Sequence, residues 1–223
     1  MALLLLILVA FAMPTTVVCS RSSPSSKHGH GGGSSGGHGK RSPPPAPAQV
    51  VPTAAALVKS TCNTTAYYDV CVSALAADPS STTADIRGLS SIAVSAAAAN
   101  ASGAAQAAAA LANASATSPP PSLAAADATL QSLLRTCAAK YGDARDALAA
   151  AKESIGQGDY EMATVHVSAA AEYPQVCKAL FRRQRPADYP PEIAAREEAL
   201  NKLCSVALDI IALLNSSSSP SSP

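Results

Sequence analysis

Apolar side chains recur along this chain with helical spacing. Leu130, Leu134, Cys137, Tyr141, Ala144, Leu148 and Ala151 advance in alternating steps of four and three, a heptad seam along one helix face. After Gly156-Gln157-Gly158 a second seam follows in Tyr160, Ala163, Val167 and Ala170, and a third in Leu200, Leu203, Ala207, Ile210 and Leu214. Ile86, Leu89 and Ala93 open a further helix, for which Thr83 or Ser81 is the expected N-cap. Proline is absent from 80–118, 122–173 and 192–219, and Pro174 stands just past the middle window. Because proline breaks helix interiors, these windows read as helices or helical hairpins, and Pro174 is expected to end or kink its helix. Four amphipathic helices with short connections predict an all-α, antiparallel four-helix bundle. The Ala-rich stretch 93–116 favours helix but supplies little volume, so that helix has to pack closely.

The ends of the chain read differently. Leu3–Ala12 is an apolar run too short to span a bilayer. Val17 and Cys19 follow as small residues ahead of a cleavage point, so residues 1–20 are expected to be a secretory signal. Residues 21–52 hold most of the glycines, then Ser42-Pro43-Pro44-Pro45, and are expected to stay disordered. His28, His30 and His38 in that segment read as part of a solvated linker, and 216–223 as a second disordered tail. The domain proper is expected over 53–215. Net charge is +1 with 14% charged residues, which gives no electrostatic basis for binding nucleic acid. After signal cleavage nothing is expected to hold the chain to a membrane, and the free protein reads as a monomer.

Secretion changes the meaning of the cysteines. Of six, Cys19 leaves with the signal, and Cys62, Cys71, Cys137, Cys177 and Cys204 remain, an odd set that suggests two bridges and a free thiol. Cys137 and Cys177 are equidistant from residue 157, so in an antiparallel hairpin they face each other within disulfide reach. Cys62 and Cys71 would be about 13 Å apart along one straight helix, so a bridge between them requires the chain to turn. Cys204, on an apolar helix between Leu203 and Val206, reads as a buried inert thiol.

Catalytic chemistry needs convergent titratable groups, and the sequence does not supply them. His166 stands alone outside the linker, no nucleophile-elbow, zinc-protease or Cys-x-x-Cys motif is present, and Asp143, Arg145 and Asp146 read as a solvated helix face. No enzyme, cofactor or metal site is expected. Four N-glycosylation sequons begin at Asn63, Asn100, Asn113 and Asn215.

Several words of the sequence are more specific. They include Cys62-Asn-Thr-Thr-Ala-Tyr67-Tyr68-Asp-Val-Cys71, Ala77-Asp78-Pro79, Asp85-Ile-Arg-Gly88-Leu89 and Cys137-Ala-Ala-Lys-Tyr141-Gly-Asp-Ala144. Gly158-Asp159-Tyr160, Cys177-Lys-Ala-Leu-Phe181 and Leu203-Cys204-Ser-Val-Ala-Leu continue the series. Together, over about 55–215, the chain resembles the plant invertase and pectin methylesterase inhibitor family. The resemblance implies a four-helix bundle with an N-terminal helical hairpin, and bridges Cys62–Cys71 and Cys137–Cys177 with Cys204 free. It also implies a stoichiometric complex that covers the substrate cleft of a cell-wall or vacuolar enzyme, with no catalysis or cofactor. Invertase inhibitors often carry Pro-Lys-Phe after the hairpin turn, where this chain has Asp159-Tyr160-Glu161-Met162. That departure, and Cys204 in its Leu-Cys context, favour pectin methylesterase (pectinesterase) as the target. Invertase (β-fructofuranosidase), or a non-inhibitory wall or signalling role, is the alternative. Asp159 and Glu161 are the candidate target-binding residues, and the apoplast or vacuole is the expected location.

Overall fold

The heptad seam of residues 130–151 lies on a single helix, α4 (Ala124–Gln157), and the next seam on α5 (Tyr160–Gln184). Between them the reversal is tight. Gly158 adopts φ +77°, its N–H donates to the Ile155 carbonyl, and the Asp159 N–H donates to the Ser154 carbonyl. This is a Schellman turn, in which the glycine takes the left-handed conformation that closes α4. Asp159 then caps the next helix, its Oδ1 accepting from the Met162 N–H at 3.0 Å. One residue thus ends one helix and begins the next.

The computed structural model describes residues 53–114, 124–185 and 188–218, all within the unit Gln49–Pro223. The expectations for the signal at 1–20, the linker at 21–52 and the last residues, 219–223, lie outside the described residues. Among the described residues the chain is all-helical. It opens with α1 (Ala54–Cys62), α2 (Tyr68–Ala76) and a 3-10 turn at Pro79–Thr82, followed by α3 (Ile86–Ala114), α4, α5 and α6 (Pro191–Ser218). α3 packs on α4, α4 on α5, α5 on α6 and α6 on α3, closing a four-helix ring, while the short α1–α2 hairpin leans on α3 and α6.

The predicted seams form the core. Leu134, Cys137, Tyr141, Ala144, Leu148 and Ala151 of α4 are buried, as are Tyr160, Ala163, Val167 and Ala170 of α5 and Leu200, Ala207 and Ile210 of α6. Leu130, Leu203 and Leu214 pack at its edges. α3 contributes Ala93, Ala97, Ala101, Ala104, Ala108 and Ala112, each at most 1% exposed. Methyl-sized side chains let its backbone approach its neighbours, and Arg196 of α6 lies directly over Gly103.

Three local expectations change. The cap of α3 is Asp85, whose Oδ1 accepts from the Gly88 N–H at 2.8 Å, and not Thr83 or Ser81. Ser81 lies within the 3-10 turn, itself capped by Asp78, and Thr83 is that turn's C-cap, so the cap of α3 falls at Asp85 while the helix still opens at Ile86. Pro174 does not end α5, which continues through it to Gln184. The missing N–H costs a hydrogen bond, offset by burial of the proline ring and by the Cys137–Cys177 bridge less than one turn later. The C-terminal tail begins later than residue 216, because α6 extends to Ser218. Leu214 packs against the core there, and Ser216 Oγ bonds the Leu213 carbonyl.

Candidate target-binding surfaces

Two disulfides brace the domain. Cys62–Cys71 joins α1 to α2 with Cα atoms 5.5 Å apart, and Cys137–Cys177 joins α4 to α5 at 5.0 Å. Both distances lie in the relaxed range for the bond. The α1–α2 hairpin has a further tether in the Ala66 N–H, which donates to Asp209 Oδ2 of α6 at 2.9 Å. Cys204 is unbridged and 1% exposed, and burial pushes its thiol pKa up to about 12. A thiol so protonated is a poor nucleophile.

A second brace is polar. Glu197 of α6 is 3% exposed, accepts a hydrogen bond from Tyr189 Oη, and pairs with Lys178 Nζ of α5 at 3.2 Å. Tyr141 of α4 completes the cluster by donating to the Ile193 carbonyl. Burial above all, then the Glu197 carboxylate, raises the pKa of the Tyr189 phenol, and the same two causes raise that of Tyr141. The cluster ties α4, α5, α6 and the α5–α6 connection together, so its buried carboxylate has a structural use. The sequence pattern held no signal for it, because its members lie far apart in the chain.

Asp159 and Glu161 stand together at the α4–α5 turn, both exposed. The Asp159 carboxylate is engaged in capping, which leaves Glu161 the freer of the two. Beside them Tyr160 is anchored from α3, its hydroxyl accepting from Arg87 Nε at 3.0 Å. This end of the bundle is therefore held rigidly by α3, α4 and α5.

The feature the seams did not reveal is the opposite side of α5. Its inner face buries Tyr160, Ala163, Val167, Ala170, Pro174, Cys177 and Phe181. On the outward face Met162, Val165 and Val176 are 45%, 58% and 43% exposed, with Ala169 and Tyr173 half-buried between them. At helical spacing these five fall on one stripe about 21 Å long, flanked by the exposed Glu161 and Glu172. A surface helix ordinarily turns polar residues to water. Here Met162, Val165 and Val176 stand exposed on the same outward side as Glu161, Ser168 and Glu172, an apolar stripe on an otherwise polar face. Among the described residues no group of His, Cys, Asp or Glu is arranged to hold a metal.

Residues 56–210 match the family model described as plant invertase/pectin methylesterase inhibitor. The chain belongs to that family. Within it, the chain is 76% identical over 168 residues to "Pectinesterase inhibitor 28" of Oryza sativa subsp. japonica, spanning 75% of this chain and 73% of the relative. It is 41% identical over 155 residues to "Cell wall / vacuolar inhibitor of fructosidase 2" of Arabidopsis thaliana, spanning 70% and 81%. A crystal structure of a mutant form of a pectin methylesterase inhibitor from Arabidopsis superposes with a TM-score of 0.53 at 19% identity. It covers 70% of this chain and 95% of that one, and agrees with the bundle fold. Membership places the chain among proteinaceous enzyme inhibitors and not among enzymes.

Proposed function

We propose that this protein inhibits pectin methylesterase, docking the outward face of α5 and the α4–α5 turn over the enzyme's substrate cleft. The observation that carries the choice of target is the 76% identity to a pectinesterase inhibitor, against 41% to a fructosidase inhibitor. The contact surface draws its support from the apolar stripe Met162–Val165–Val176, with Asp159 and Glu161 at its end. Such a stripe loses little ordering entropy on binding, because its helix is already fixed by a disulfide and by the Glu197 cluster. In this reading the chain is secreted after removal of residues 1–20 and acts in the cell wall as a free monomer until it meets the enzyme.

The test titrates the purified, oxidised protein against a plant pectin methylesterase and an acid invertase. Loss of esterase activity near equimolar ratio is the expected result. Loss of invertase activity alone transfers the assignment to the alternative target, and no effect on either enzyme in several-fold excess refutes inhibition of both. Replacing Val165 by Asp is expected to weaken inhibition at least tenfold while leaving the circular dichroism unchanged. Full potency in that variant moves the interface off α5.

A further inference from the structure

Of the four sequons, two have every side chain described, and the fold treats them in opposite ways. Asn63-Thr64-Thr65 follows α1 as a turn. Asn63 is the C-cap, with its N–H on the Lys59 carbonyl at 3.0 Å and its side chain exposed. The threonine hydroxyls bond back to Thr61 and Cys62 carbonyls at 2.7 and 2.8 Å, so the turn presents the asparagine outward. Asn100-Ala101-Ser102 lies in the middle of α3, where Ala97, Ala101 and Ala104 are fully buried. The Asn100 Oδ1 is buried without a hydrogen-bond partner, and the side chain faces a groove of about 780 Å³ walled by Asp69 and Ser73 of α2 and by Glu198 and Lys202 of α6.

We infer that Asn63 carries an N-linked glycan and Asn100 does not. The inference rests on the secretory route of the reading above. The donor is a lipid diphosphate-linked oligosaccharide. Its anomeric C1–O bond to the diphosphate breaks, a C1–Nδ2 bond to Asn63 forms, and the amide proton leaves with the displaced lipid diphosphate. At Asn63 the sugar extends into solvent. At Asn100 a transferred oligosaccharide overfills the groove and parts α2 from α6, so the folded chain is the form unmodified there. The Asn63 glycan stands on the hairpin that bears the exposed Tyr67 and Tyr68, whereas α5 packs on α4 and α6 on another side of the bundle. A glycan on that hairpin therefore leaves the α5 stripe open.

The experiment expresses the full chain in plant cells and releases glycans with a peptide-N-glycosidase in heavy-oxygen water, which converts each modified asparagine to labelled aspartate. Peptide mass spectrometry should place the label at Asn63 and find Asn100 as an unlabelled amide. On a gel, Asn63→Gln should lose one glycan step relative to the wild type, and Asn100→Gln should lose none. Label at Asn100, or an unmodified Asn63 in protein recovered from the medium, overturns the inference. Inhibition is assayed on the same samples, so failure of the glycan assignment is distinguishable from failure of the inhibitor reading.

Discussion

The two disulfide-bridged hairpins of this domain are held together by different means. In α4–α5 the bridge joins long helices whose facing seams bury Tyr141, Leu148, Val167 and Phe181, and it closes a separation of 40 residues. In α1–α2 the helices have nine residues each and bury only Thr61, Cys62, Cys71 and Leu75, across a separation of nine. The long hairpin would bury a core without its bridge. The short one has half of its buried residues in the bridge itself, and its remaining hold on the bundle includes the single bond from Ala66 to Asp209. A disulfide adds to a seam in the first case and replaces one in the second.

Removing each bridge should separate these roles. Replacing Cys137 and Cys177 together by Ser is expected to lower the global unfolding free energy by about 4 kcal/mol, since the denatured chain regains a long loop. Denaturant titration followed by circular dichroism reads the loss. Replacing Cys62 and Cys71 by Ser should cost about 2.7 kcal/mol by the same loop argument, but as local opening. Protease should cut within 54–76 while the helical signal of α3–α6 persists. If instead the whole bundle melts with this pair, or if the short bridge costs more than the long one, the contrast between the hairpins is wrong. The smallest effect belongs to Asp209→Ala, which removes a partly exposed hydrogen bond worth about 1 kcal/mol. Amide exchange at Ala66 should speed up roughly fivefold, with no change in the exchange of α4 and α5.

The long hairpin was legible in the sequence because its information is local and periodic. Leu130 to Ala151 and Tyr160 to Ala170 each lie on one helix, and a glycine-centred reversal put Cys137 opposite Cys177. What escaped the pattern depends on contacts between distant residues. Pro174 reads as a breaker until the core that accepts its ring and the neighbouring bridge are in view. Thr83 and Ser81 are good caps by type, yet Asp85 holds the position because a 3-10 turn intervenes. Glu197 looks like any surface acid in a helical run, since its partners Tyr189 and Lys178 lie 8 and 19 residues away. The outward stripe on α5 is hidden in the sequence for another reason. Met162, Val165 and Val176 fall outside the heptad seam, and only their exposure separates an outward stripe from a broader core. Asp159 and Glu161, at the α4–α5 turn, sit at the end of that stripe.

The alanines of α3 carry information that their repetition hides. As text, residues 93–112 are nearly a monotone, the kind of stretch a biased base composition writes by default. In the folded bundle Ala93, Ala97, Ala101, Ala104, Ala108 and Ala112 work as a ruler, each methyl setting how near α3 lies to α4 and α6. Any larger side chain lengthens a mark on that ruler, forcing backbones apart at about 1–3 kcal/mol for each misfit. Smaller means glycine, which loosens the helix itself. The most repetitive passage in the chain is therefore among those with the fewest permissible spellings.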